Sequence, residues 1–230
     1  MKILALIPAR GGSKAIHMKN LKKIAKKPLI QYTIDIAKKS KIFDKIIVST
    51  DNQKILSVSK KLGAEVPFLR PKSLAKDNTP SIKVIKHALN FLEKKQDYVP
   101  EIVLLLQPTS PIRSIELIKK SVNLLKKNKT DSVISIAKVK THPYNCFWKK
   151  NGKLQPFNKK FKSYSLRQSL PELYYPTGSI YTFWASNIKK YNSFYGQKIS
   201  PLLVTNKEFL IDIDDNFDLF LAKSIINNFK

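Results

Sequence analysis

The chain has little of several things, and each scarcity narrows what it can be. One cysteine, Cys146, stands in 230 residues. No internal disulfide framework is available, and the usage fits a reducing cytoplasm. Three scattered histidines, His17, His87 and His142, do not make a zinc cluster with that cysteine, so any metal must be held by oxygen ligands. No apolar run approaches the roughly 18 residues of a membrane span. The apolar run at 3–9 is too short for a signal sequence, and it ends in Arg10-Gly11-Gly12-Ser13-Lys14 instead of a small-residue cleavage site. Acidic residues number 16 against 43 basic ones, for a net charge of +27. Such a charge invites a nucleic-acid reading. The lysines, however, are spread over nearly every expected helix rather than gathered on one stripe. That pattern describes a solvated surface whose field attracts small anionic substrates.

Arginine and glycine are scarcer still. Only four of the basic residues are arginines. In a chain that otherwise uses lysine, each marks a place where a planar, bidentate fork is needed. Arg10, Arg70, Arg113 and Arg167 all fall in expected loops near strand ends. Two of the six glycines, Gly11 and Gly12, sit in one loop directly after an apolar strand. Glycine permits a sharp turn that brings backbone N–H groups close to an anion. Arg10, Lys14 and Lys19, with Asn20 beside it, add donors at the same spot. The loop reads as a phosphate site at the end of a sheet; the alternative is an ordinary strand-to-helix turn with surface lysines.

What is present is a folded core. With 43% hydrophobic and 10% aromatic residues, 230 residues can bury one sizeable domain. Apolar stretches at 2–9, 44–50, 64–69, 102–106 and 131–138 alternate with helical periods at 28–39, 52–62, 79–95 and 115–127. Thr79 is placed as the N-cap of the third helix and Gly63 ends the second. The expected fold is α/β, a Rossmann-like, mostly parallel sheet sandwiched by helices. Ligands bind such sheets beyond the carboxyl ends of the strands, where the loops of Arg10 and Gln107 to Arg113 lie. The character changes near 139. An Asn151-Gly152 turn flanked by Phe147, Trp148 and Leu154 predicts an inserted β-hairpin module over 139–185. Residues 1–138 and 186–230 form the main domain. The module is expected to pack on a second copy of the chain, or else to form a side layer on its own monomer.

The chain returns through a strand near 201–204 and an extended stretch at 209–214, then ends on a helix over 216–228. Asp212 and Asp214 lie two apart, on one face of an extended segment, and like charges so placed call for a cation. A hard divalent ion such as Mg²⁺ suits carboxylate and phosphate oxygens; a solvated acidic cluster before a helix is the alternative. Asp215 reads as the N-cap of the last helix.

Six stretches, in order, resemble the CMP-sialic acid synthetases (acylneuraminate cytidylyltransferases). They are residues 7–14 with Lys19-Asn20-Leu21; Val48-Ser49-Thr50-Asp51; Arg70-Pro71 through Leu74 to Ser81; Leu106 to Arg113; Arg167-Gln168 with Leu170-Pro171 and Gly178 to Tyr181; and Ile211-Asp212-Ile213-Asp214. The resemblance implies that CTP is coupled to an acidic nine-carbon sugar, with Arg10, Lys19, Asp212 and Asp214 at the chemistry. Arg10, Gly11, Ser13, Lys19 and Asn20 would hold the phosphates and ribose, and Arg70 and Ser81 the cytosine. Gln107 would face the sugar acid, with Arg167 reaching a neighbouring subunit's site in a homodimer. Asp212 and Asp214 would carry Mg²⁺. The chain departs from the family pattern at Ala15, at Tyr144-Asn145-Cys146, and at Tyr175 and Thr177. The last two fall where sugar selectivity would be read, so a relative such as legionaminic acid fits as acceptor. Alternatives are a 3-deoxy-manno-octulosonate or other sugar nucleotidyltransferase, and a non-catalytic anion or nucleic-acid binder. The working expectation is no nucleic acid and no membrane.

Overall fold

Strand β1 (Ile3–Pro8) sends alternate side chains to two different cores. Ile3, Ala5 and Ile7 join one apolar cluster; Leu4 and Leu6 join another on the opposite face. That two-sided burial follows from the period of two along a strand, and β5 (Ile102–Leu105) repeats it. The protein is described from a computed structural model covering residues 1–158 and 170–228. Helices α1 (Leu29–Ser40), α2 (Gln53–Lys61) and α4 (Ile115–Lys127) cover the first face. α3 (Ser81–Gln96) and the short α5 (Ser186–Tyr191) cover the second.

Strands β2 (Lys23–Ile24) and β3 (Lys27–Pro28) pair with each other, apart from the main sheet. The six-stranded sheet has the order β10-β6-β9-β5-β1-β4, with β4 (Lys45–Ser49), β6 (Ser132–Lys138), β9 (Tyr174–Trp184) and β10 (Ile199–Leu203). β1 runs parallel to β4 and β5, and β10 parallel to β6, while β9 is antiparallel to both of its neighbours. The mostly parallel sheet expected from sequence is present, with one reversed strand inside it.

That strand corrects the proposed boundaries. The expected module at 139–185 divides in two. Strands β7 (Phe147–Lys150) and β8 (Lys153–Pro156) form a separate exposed hairpin. Its turn carries Asn151 and Gly152 at positive φ, 50° and 74°. Residues 174–184, by contrast, are interior to the main sheet, buried from Thr177 to Phe183 because they lie between β5 and β6. Two smaller expectations also shift. Residues 64–69 make only two isolated bridges to β4 and the residue after it, Ile47 to Glu65 and Thr50 to Leu69, because Pro67 between them has no N–H to donate. Thr79 does not cap α3: it sits in a turn, its N–H bonded to the Lys76 carbonyl, and Pro80 occupies the cap position. The residue before a proline is pushed out of the helical region.

A third apolar cluster decides where the ends of the chain meet. Ile16 and Ile24, on either side of the residue 17–23 loop, pack with Leu29 against Ile211, Ile213, Leu219 and Ala222. The latter two lie on α6 (Asn216–Asn228). Asp215 caps that helix, accepting from the N–H groups of Phe217 and Asp218. The stretch at 211–214 is extended, and its backbone is tied to the sheet's rim by a bond from the Ile213 N–H to the Thr109 carbonyl at 2.8 Å.

Candidate active site

A cleft of about 290 Å³ opens at the carboxyl ends of β1 and β5. The amino-terminal loop contributes Arg10, Ser13, Lys19 and Asn20; the 70–81 loop contributes Arg70 and Ser81; Gln107 follows β5. Asp212 and Asp214 close the far wall. Gly11 is not among the residues that line the cleft, and Arg167 lies outside the described residues. All other sequence-predicted site residues share one cavity.

Lys19 links the two ends of the chain. Its ammonium donates to the Ile213 carbonyl at 2.6 Å and lies 3.5 Å from an Asp214 carboxylate oxygen. Asn20, 6% exposed, donates from its amide to the Arg10 carbonyl at 3.0 Å, so it shapes the loop as well as lining the cleft. Gly11 is required by closeness rather than by a turn. Its N–H donates to Asp51 at 2.8 Å, and a Cβ there would stand 2.8 Å from the Asn52 Cβ. The left-handed residue of the loop is Met18, at φ 50°.

Asp77, which the sequence reading gave no role, pairs with Arg10 and, at 3.2 Å, with Lys14. Hydrogen bonds from those two cations hold its carboxyl below the ordinary range. It presents an anion to the loop that sequence reads as an anion site. Asp212 is shifted the other way: burial raises its carboxyl and the charge of Asp214 adds to that, against a Thr109 hydrogen bond, Lys19 and Arg113. Ser110 donates to it at 3.5 Å.

Two arginines are buried at the cleft, Arg70 in its wall and Arg113 against the backbone of Gln107. Arg70, 4% exposed, donates to the Ser49 carbonyl at 2.8 Å, and its Nε finds no partner among the described residues. Burial lowers its pKa. Arg113, 6% exposed, donates to Ser179, Thr33 and Gln107; burial pushes its pKa down to about 9, opposed by Asp212. The scarcity of arginine flagged both positions, but the contacts of Arg113 were not legible. Thr177 does not face the cleft as its family position suggested: it is buried and donates to the Ser135 hydroxyl at 2.8 Å. Gly178 follows, at φ +76°, where the register of β9 against β6 slips.

A cationic loop at the carboxyl end of a buried parallel strand, facing an acidic pair across a solvent-open cleft, defines an α/β enzyme of the nucleotidyltransferase class. A family model for cytidylyltransferases matches residues 4–219, and the chain belongs to that family. A CMP-N,N'-diacetyllegionaminic acid synthase of Legionella pneumophila is 36% identical over 228 residues, covering 98% of this chain and 97% of the relative. A pseudaminic acid cytidylyltransferase of Campylobacter jejuni is 32% identical, covering 97% and 95%. An N-acylneuraminate cytidylyltransferase of Escherichia coli is 35% identical across 97% of this chain, which spans 52% of that relative. Among solved structures, a CMP:2-keto-3-deoxy-manno-octonic acid synthetase complexed with CTP superposes with a TM-score of 0.72 at 14% identity, over 99% of both chains. That likeness concerns the fold. Among the described residues no helix is long and apolar enough to cross a membrane.

Proposed function

We propose that this cleft couples CTP to the anomeric hydroxyl of a nonulosonic acid: sialic acid or a relative such as legionaminic acid. The hydroxyl gives up its proton to solvent as its oxygen bonds to the α-phosphorus, the bond to the β-phosphate oxygen breaks, and pyrophosphate leaves. The observation that carries the reading is the meeting of Lys19 with Asp214 in the cavity that Arg10 and Gln107 also line. The names of the full-length relatives support the acceptor class. Phosphoryl transfer of this kind rests on positioning and charge neutralisation, not on a covalent protein nucleophile. Arg10, Ser13, Lys19 and Asn20 hold the triphosphate and ribose, with Gly11 setting the loop. Arg70 and Ser81 flank the base, and Gln107 orients the sugar acid.

The donor set fits a divalent ion. Asp212 and Asp214 supply two carboxylates, and among the described residues no group of three metal-ligating side chains gathers. Mg²⁺ characteristically takes one or two carboxylates and completes its shell with phosphate and water oxygens. When bound, it neutralises charge on the phosphate oxygens. The raised carboxyl of Asp212, pressed by burial and by Asp214, fits the same conclusion.

The hairpin leaves Phe147, Trp148, Leu154 and Phe157 exposed by 47%, 58%, 68% and 50%. Such a patch is covered by a second copy in the homodimer we propose, where Arg167 would reach the neighbouring site. Light scattering of wild type and Trp148→Glu tests it; a monomeric wild type ends the idea. A reducing cytoplasm is the compartment that fits the lone cysteine.

Incubation with CTP, Mg²⁺ and a panel of nonulosonic acids, with 3-deoxy-manno-octulosonate alongside, tests the reaction. Mass spectrometry should find a CMP-linked nonulosonic acid. A product from the octulosonate alone, or from another nucleotide, would replace this reading with the second one.

A further inference from the structure

Arg113 is a buried cation with no carboxylate within ion-pair distance among the described residues; the charge of Asp212 reaches it only from farther off. None of the ion pairs among the described residues includes it. Its hydrogen bonds go to neutral acceptors: Nε donates to the Ser179 carbonyl at 2.9 Å, one Nη to the Thr33 hydroxyl at 3.0 Å, and the other to the Gln107 carbonyl. Burying a guanidinium on neutral acceptors is a costly way to stabilise a fold, and apolar packing does it better. The acceptors point to what the cation does there. Gln107 lies in the loop after β5, Ser179 in the slipped register of β9, and Thr33 on α1.

Gly178 sits between the first two. A Cβ on it would stand 3.1 Å from the Gln107 Oε1, 3.4 Å from an Asp212 carboxylate oxygen and 3.7 Å from the Ser110 hydroxyl. The Gln107 side chain, the Gly178 turn and Asp212 therefore pack against one another, and the guanidinium beneath ties two of the three together. A lysine cannot replace that tie. Its ammonium is a point charge, whereas the planar fork reaches Gln107 and Ser179 in one fixed geometry.

We propose that Arg113 is the positioning residue of the acceptor subsite, holding Gln107 and the Gly178–Ser179 turn in the arrangement that receives the sugar acid. It touches neither substrate. The proposal rests on the reading that Gln107 faces the sugar acid.

Three variants test it, each with separate KM values for CTP and acceptor and with CTP affinity measured alone. Arg113→Lys should raise the acceptor KM about tenfold while the CTP KM and CTP affinity stay within about twofold. Thr33→Val removes the contact from α1 and leaves the other two; it should lower the melting temperature without moving the acceptor KM. Gly178→Ala presses on Gln107 from the other side and should raise the acceptor KM with Arg113 intact. Should Arg113→Lys not fold, the other two variants decide. A parallel rise of both KM values in Arg113→Lys overturns the proposal. So does a Thr33→Val protein that matches Arg113→Lys, or a Gly178→Ala protein with an unchanged acceptor KM. Failure of the reaction itself shows separately, as wild type giving no CMP-linked nonulosonic acid.

Discussion

Lys19 reaches the carboxyl-terminal segment because Ile16 and Ile24, on either side of it, are packed against Ile211 and Ile213. Its side chain is 12% exposed, so its attraction for phosphate is weakened less by solvent than that of a surface lysine. Lys19→Ala should lower kcat/KM by about 10²–10³, the loss of one preorganised electrostatic contact. The lost bond to Ile213 should also cost roughly 1–3 kcal/mol of stability, so the melting temperature falls modestly. Unchanged turnover at an equal melting temperature would remove Lys19 from the chemistry. Asp77 pairs with Arg10 and Lys14, and would compete for them with a triphosphate bound as proposed. Its contacts are solvent-exposed, where water and salt leave such pairs weak. Asp77→Asn should therefore lower the CTP KM by no more than about fivefold. A raised CTP KM would instead make Asp77 a support that orients Arg10.

At the scale of elements, the acidic segment has no sheet to hold it. The backbone bond to Thr109, the Lys19 bond to the Ile213 carbonyl, the Ser110 bond to Asp212 and the side chains of Ile211 and Ile213 keep it at the cleft. Ile213 is fully buried, and Ile213→Ala should cost about 2–5 kcal/mol. Because the same side chain holds Asp212 and Asp214 against the Lys19 loop, turnover below the unfolding temperature should fall too. A stable variant with full activity would mean that the segment is held by other contacts. Asp131 is the corresponding tie at β10. It accepts the N–H groups of Gln197 and Lys198, each at 2.8 Å, and those bonds, with Lys198 first, lower its pKa. A carboxyl whose folded pKa is depressed stabilises the fold above its unfolded value, near 3.9, and loses that contribution as pH falls through the folded value. Asp131→Asn should therefore show a smaller drop in melting temperature than wild type between about pH 5 and pH 3. Parallel pH curves would contradict this.

For the molecule as a whole, +27 charges on 230 residues repel one another, and eight ion pairs among the described residues do little to offset them. Raising salt from about 20 to 150 mM shortens the screening length from roughly 20 Å to 8 Å. The melting temperature should rise over that interval, while the CTP KM rises as the attraction of the positive surface for the triphosphate is screened. A melting temperature that falls with salt would mean that the attractive pairs outweigh the repulsion.

Composition and periodicity determined the α/β class, the helices from α1 to α4, the hairpin turn at Asn151-Gly152, and the loop that carries Arg10 and Lys19. Each of these follows from neighbours in sequence, because side-chain period and turn chemistry act over a few residues. The reversed placement of β9, the bridging of Lys19 to Asp214, the work of Asp77 and the three acceptors of Arg113 were decided only by the tertiary structure. Those contacts join residues 63 to 195 positions apart, except the bond from Arg113 to Gln107, which needs the loop's own path. No local pattern records them: the apolar clusters that bring distant segments together form only once the sheet exists to be covered.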